Sequence, residues 1–259
     1  MKAPAFAYAK PKSLAEAFGL LQTPGAKLLA GGQSLIPSLN MRLSSPSMLV
    51  DITGLPGLAE IVPRRGTVRV GALVTHARIE NNSDIKQHVP MLAEAATHIA
   101  HAAIRNRGTL GGSIALADPA AEYPACAVAL QATMIISAAN GERRVKADDF
   151  FKAMFETDLK AGEILVAAEF PTGGRSVFLE LTRRHGDYAI VGLAAHESRF
   201  VFFGAGPTPV LVKGASLAEA KAALARVEPP ADLYHSSKTK RHLAGVLLER
   251  AWNTLSKPH

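Results

Sequence analysis

The apolar positions change period along the chain, and each change marks where an element begins or ends. Ser13-Leu14-Ala15-Glu16 sets a hydroxyl three residues before a carboxylate, the capping-box pattern that opens a helix. Lys27 to Ala30 is a strand candidate running into Gly31-Gly32. A helix is expected from Ser34 to Leu43, with Pro37 tolerable only in its first turn, and Met48 to Ile52 reads as the next strand. Farther on, Val68 and Val70 alternate along a strand, and Pro90-Met91-Leu92 starts an alanine-rich helix towards Ala100. Met134 to Ala138 followed by Asn140-Gly141 predicts a strand entering a tight hairpin, and Glu163 to Phe170 predicts another strand. Pro171-Thr172-Gly173-Gly174 marks a boundary. Strand candidates Val177 to Leu181 and Phe200 to Phe203 follow, then two helices, so the closing region reads as α+β. Ser216 to Ala220 repeats the letters of Ser13 to Ala17, which a second capping box explains without duplication.

With 259 residues, 48% of them hydrophobic and 20% charged, the chain can bury a sizeable core and divide into two or three small domains. No apolar run approaches the ~20 residues needed to span a bilayer, and Met1 to Ala7 lacks the apolar stretch of a secretory signal, so the cytoplasm is the expected location. A single cysteine, Cys126, excludes an internal disulfide, a thiolate zinc site and an iron-sulfur cluster held by this chain alone; between Ala125 and Ala127 it reads as a core residue. His98 and His101 lack the flanking acid of a zincin helix, and no metal site is expected. The net charge of +7 favours anionic partners. Arg64-Arg65, Arg143-Arg144 and Arg183-Arg184 are isolated pairs without interleaved aromatics, which argues against nucleic acid and for a phosphate-bearing cofactor.

Two segments pair glycines with hydroxyl or amide side chains: Leu28-Leu29-Ala30-Gly31-Gly32-Gln33-Ser34-Leu35-Ile36-Pro37 and Ile104-Arg105-Asn106-Arg107-Gly108-Thr109-Leu110-Gly111-Gly112-Ser113. Glycine permits positive φ and close approach of backbone to ligand, so successive amides can converge on a diphosphate. Ser34, Thr109 and Ser113 could add hydrogen bonds, and a helix after Ser34 would turn its positive end to the anion. Either loop alone is more often only a turn. Neither matches G-x-G-x-x-G or G-x-x-x-x-G-K, so a Rossmann fold or a nucleotide hydrolase is disfavoured.

The first loop with Met41-Arg42-Leu43 and Leu49-Val50-Asp51-Ile52, and the second with Ile104 to Gly108 before it and Ala117-Asp118-Pro119-Ala120-Ala121-Glu122 after it, resemble the two signatures of molybdenum-hydroxylase FAD subunits. That family includes the medium subunit of aerobic carbon monoxide dehydrogenase and the xanthine dehydrogenases. The resemblance continues through Arg183 to Gly192 and reaches Asp232, Ser236-Ser237 and Arg241-His242-Leu243, covering nearly the whole chain.

The resemblance implies an α+β protein: a two-subdomain FAD-binding fold of the PCMH/vanillyl-alcohol-oxidase type, over residues 1–55 and 56–172, then a smaller C-terminal domain, 173–259, of a short antiparallel sheet with helices. It implies FAD gripped by residues 28–35 and 109–113, with Asp118 on a ribityl or ribose hydroxyl, or else serving as a helix cap before Pro119. Leu165 would lie on the strand along the isoalloxazine ring and Tyr188 beside the flavin. The implied partners are a small iron-sulfur subunit and a large molybdopterin-binding subunit, in a dimer of heterotrimers. No acid, base or nucleophile is expected in this chain. Three departures stand out: Ser113 replaces a common Asn, Thr239-Lys240 replaces an aromatic beside Arg241, and a shortened stretch between Ala195 and Phe203 puts the C-terminal sheet in question. A self-sufficient flavoenzyme and a cofactor-free assembly module are the competing readings.

Overall fold

The computed structural model describes residues 2–257. Three sheets succeed one another along the chain. In the first, β1 (Ala7–Ala9), β2 (Ala26–Leu29) and β3 (Met48–Asp51) lie parallel in the order β1-β3-β2, linked by helices α1 (Leu14–Leu20) and α2 (Leu35–Asn40). The expected capping box opens α1: Ser13 Oγ accepts from Glu16 N–H, and Glu16 reaches back to Lys12 N–H. Helix α2 stops three residues short of the expected Leu43. Arg42 takes positive φ (59°), and Leu43 N–H closes on Ser38 O while Arg42 N–H closes on Leu39 O, a Schellman ending built without glycine.

The second sheet is antiparallel, in the order β4-β5-β10-β6-β7, from β4 (Ile61–Arg64), β5 (Thr67–Gly71), β6 (Thr133–Ala138), β7 (Gly141–Lys146) and β10 (Ile164–Pro171); β8 (Phe151–Ala153) and β9 (Glu156–Thr157) form a small hairpin beside it. The hairpin foreseen at Asn140-Gly141 is present, but Ala138 pairs with Gly141, so Ala139-Asn140 form the turn. Arg143 fastens its base, bonding Glu163 with Nε and Nη2 at 2.7 Å and Asp158 with Nη1 at 2.6 Å. Between β5 and β6 run α3 (His76–Asn81), α4 (Ser83–His88), α5 (Pro90–His98), α6 (Ala102–Arg105), α7 (Leu110–Leu116) and α8 (Glu122–Ala129). A bulge between Leu165 and Ala167 divides the faces of β10: Ile164 and Val166 join Ile135, Val50 and Phe18 on the side of the first sheet, while Leu165, Ala168 and Phe170 pack with the helices.

The third sheet, β11 (Ser176–Thr182), β12 (Ala189–His196), β13 (Arg199–Phe203) and β14 (Val210–Lys213), is an antiparallel meander. The shortened stretch after Ala195 is a two-residue turn, Glu197-Ser198, that leaves this sheet whole. Phe178, Ala194, Val201 and Phe203 face α8, while Val191, Leu193, Phe200 and Phe202 face α10 (Leu217–Leu224) and α11 (Ser237–Leu255). Helix α8 is therefore covered on all sides, which is why Tyr123 to Ala129 are uniformly buried and why Cys126 is a core thiol whose ionisation burial suppresses. No described helix is long and apolar enough to cross a membrane.

Candidate cofactor site

The two glycine segments meet. A β-carbon on Gly31 would lie 2.8 Å from the carbonyl carbon of Arg107 and 2.9 Å from Gly108 Cα, so the first loop can seat on the second only if that residue is glycine. Gly32 serves a different need, since its φ of 74° turns the chain into α2. Between these two turns and the helix, the backbone N–H groups of Gly31, Gly32, Gln33, Ser34 and Leu35 donate to no protein acceptor among the described residues. Gln33 Nε2 instead braces Gly31 O at 3.1 Å, and Ser34 Oγ caps nothing and is exposed. Five unspent amides at a strand-to-helix turn are a donor set suited to a phosphate group.

The second segment is built otherwise. Leu110, Gly111 and Gly112 are the first turn of α7 rather than an open loop, and their amides are already used: Leu110 N–H to Val74 O (3.0 Å), Gly111 N–H to Ala72 O (2.9 Å) and Gly112 N–H to the Thr109 hydroxyl (3.1 Å). The expectation of free amides there is corrected, and with it the reason for the glycines. A β-carbon on Gly111 would stand 2.7 Å from Ala72 O, and one on Gly112 2.9 Å from Thr109 Oγ1. Gly111 thus lets α7 seat on Ala72, and Gly112 leaves room for the Thr109 hydroxyl that caps the helix. What this side offers a ligand is the half-buried Ser113 hydroxyl, which makes no protein hydrogen bond among the described residues, and the exposed Arg107.

His76 underlies the junction. Its N–H donates to Gly108 O (3.0 Å), and its ring lies where a Gly108 β-carbon would fall, tilted against Tyr123 at 5.3 Å. Burial, and then Arg105, lower its pKa to about 4. The unfolded chain therefore binds a proton below about pH 6.5 that the folded chain refuses until about pH 4, so the stability His76 confers is lost as pH falls through that window. Relative to His76→Gln, the wild-type protein should lose on the order of 3 kcal/mol between those limits in denaturant titrations, and parallel profiles would remove His76 from this role.

The other expected positions fall in different surroundings. Asp118 Oδ1 accepts from Ala120 N–H at 2.9 Å inside a turn, while α8 has Ala121 at its N-cap position, so Asp118 is not the helix cap the alternative reading expected. Leu165 is buried in the core between the second sheet and the helices, so its side chain lines no open cleft. Tyr188 is 74% exposed, on the Arg183–Tyr188 loop, whose Gly186 packs against the backbone of Ala100. Partial burial of the phenol, then the Asp118, Glu122 and Asp187 carboxylates, raise its pKa. Sequence reasoning passed over Glu122, whose carboxyl burial, with Asp118 nearby, lifts to about 7. Its signal was an acid opening an otherwise apolar helix. Among the described residues no group of three or more His, Cys, Asp and Glu could hold a metal ion.

Residues 4–173 match the family described as the FAD binding domain in molybdopterin dehydrogenase. The chain belongs to that family, and is an oxidoreductase subunit whose cofactor is FAD. Within it, the chain falls among the medium subunits of multi-subunit molybdenum hydroxylases. It is 37% identical to the 6-hydroxypseudooxynicotine dehydrogenase complex subunit alpha of Paenarthrobacter nicotinovorans, over 99% of this chain and 95% of that one. It is 35% identical to the carbon monoxide dehydrogenase medium chain of Hydrogenophaga pseudoflava, over 96% of both. The structure of quinoline 2-oxidoreductase from Pseudomonas putida 86 superposes with a TM-score of 0.93 at 38% identity, over 98% of each chain.

Proposed function

We propose that this chain is the electron outlet of a molybdenum hydroxylase. Electrons taken from substrate at a molybdenum-pterin centre on a large subunit reach it through two-iron clusters on a small subunit, and leave to an external acceptor. Bound FAD exchanges one or two electrons, which suits a position between one-electron clusters and a two-electron acceptor. The observation that carries the reading is the seating of Gly31 on Arg107–Gly108 beside five amides without partners among the described residues. Leu28, Leu29 and Ala30 lead into that turn; Gly31, Gly32, Gln33, Ser34 and Leu35 take the diphosphate; Thr109, Leu110, Gly111, Gly112 and Ser113 form the opposite wall, with Ser113 as its donor. Asp118 and Tyr188 border the remainder of the dinucleotide, Tyr188 by its exposed ring, and Leu165, whose side chain is buried, does so only through the backbone of β10.

Residues 1–55 and 56–172 are the two FAD-binding subdomains in this reading and 173–259 the C-terminal domain, within a cytoplasmic dimer of heterotrimers. No side chain here needs to act as acid, base or nucleophile. Co-purification with the small and large partners tests the relay. Substrate of the large subunit should bleach the flavin absorption in the assembled complex and leave it untouched in the flavin-loaded isolated chain. Bleaching of the isolated chain by that substrate would make this a self-sufficient flavoenzyme instead.

A further inference from the structure

The Arg183–Tyr188 loop rests beside a carboxyl group that has no hydrogen-bond partner among the described residues. Glu180 lies on β11, three residues before the loop; its side chain is fully enclosed, and neither oxygen has a hydrogen-bond partner. The nearest basic atom is His98 Nδ1, at the C-terminal end of α5, 3.7 Å from Glu180 Oε2 and just outside hydrogen-bond reach. His98 is a poor counter-charge. Its ring packs tilted on Phe178 at 5.2 Å and faces His185 at 6.1 Å, and burial together with His185 lowers its pKa. Of the acids nearby, Glu122 on α8 acts on Glu180 itself, while Glu94 on α5 acts with both on the Cys126 thiol; the loop carries Arg183, Arg184, His185 and Asp187. From the loop itself, Gly186 packs onto the backbone of Ala100, two residues beyond His98. The loop and the end of α5 thus meet directly over the enclosed carboxyl.

We propose that Glu180 is a positioning residue that seats the Arg183–Tyr188 loop against α5 only while its carboxyl holds a proton. A neutral carboxyl costs the seam far less than a carboxylate, which there is an uncompensated buried charge, relieved when the loop lifts and water enters. Burial, with Glu122 adding to it, pushes Glu180 up to about 8. Because this folded value lies above the unfolded one, the stabilisation is complete below about pH 4.5 and is lost as pH rises through about 8. Glu122, lifted to about 7, titrates in the same sense on α8 rather than on the loop's own strand. The seating does not depend on FAD; only its effect on Tyr188 as a wall of the flavin cleft rests on the function proposed above.

The loop reports on itself, because Arg183-Arg184 is a trypsin site within it. Full-length protein is digested briefly at steps from about pH 6 to about pH 9, with cleavage at this pair counted by mass and divided by cleavage of a free peptide of the same sequence. Wild type should show a normalised rate rising at least ~5-fold across the interval, while Glu180→Gln, which cannot ionise, stays flat and Glu122→Gln keeps the upper part of the rise. Parallel curves for wild type and Glu180→Gln would overturn the proposal. Should Glu180→Gln fail to fold, the wild-type curve alone decides, since no rise through about pH 8 is incompatible with a proton-dependent seat. Cleavage is read without cofactor, so the result stands even if this chain does not serve as the flavin relay.

Discussion

Gly31→Ala is expected to strip FAD from the protein while the fold survives. The new methyl group would lie within 2.9 Å of Gly108 Cα and closer still to the Arg107 carbonyl, and both belong to backbone that cannot rotate away. His76 N–H holds Gly108 from beneath, and the Thr75–Thr109 bridge holds the next residue. The first loop must therefore retreat, carrying its amides with it. Amide-to-phosphate hydrogen bonds are charge-assisted and contribute roughly 1.5–3 kcal/mol each, so misplacing two of them should weaken FAD binding by a factor on the order of 10² to 10⁴. The loop lies at a rim rather than in a core, so the thermal midpoint of the cofactor-free protein should move little. Gly57→Ala is the matched control. Gly57, unlike Gly31, has positive φ (75°), and a β-carbon there meets nothing within 4 Å, so about 1 kcal/mol of stability should go without effect on flavin content. Equal flavin retention by Gly31→Ala and Gly57→Ala would show that the contact between the loops is not needed.

The largest loss of stability is expected from Gly192→Ala. On β12 this glycine faces the ring of Phe203, and a β-carbon would fall 2.5 Å from the ring's Cε2 and nearer to its other edge atoms. Phe203 has no free direction: it is fully buried and stacks on Phe178 at 5.6 Å, in the layer that joins the third sheet to α8. Overpacking of this kind costs about 1–3 kcal/mol, and the strand cannot shift without disturbing its pairing with β11 and β13 on either side. For a chain of this size about 3 kcal/mol lowers the melting midpoint by roughly 6–12 °C, readable by calorimetry. An unchanged midpoint would mean that the ring is far more mobile than its burial indicates.

The legible parts of this fold were those with local chemistry. Both capping boxes form as their letters indicate, at Ser13 and at Ser216, because the bonds involved lie within four residues. Strands β2, β3, β10 and β13 fall within a residue or so of their expected limits, since each is an apolar run bounded by turn residues. Helices α7 and α8 were hidden for the opposite reason. Gly111-Gly112 weakens one and Pro124 sits in the other, and tertiary burial, not propensity, holds both in helical form. The site was legible in the same proportion. The pairing of the glycine segments could be foreseen, and the positive φ at Gly32 agrees with the chemistry read there. That the glycines after Thr109 serve packing rather than amide donation could not, because the acceptors, Ala72 O and Val74 O, come from a distant turn. Nor could the enclosed Glu180, which in a strand of alternating residues looks like an ordinary solvent-facing acid.

Amide shifts in nitrogen-15-labelled protein, recorded without FAD and after loading, test the central claim directly. The account predicts that the N–H signals of Gly31, Gly32, Gln33, Ser34 and Leu35 move strongly downfield as they bond to phosphate oxygens, while those of Leu110, Gly111 and Gly112, already bonded within the protein, move much less. Unchanged signals from Gly31 to Leu35 in a fully loaded sample would contradict it.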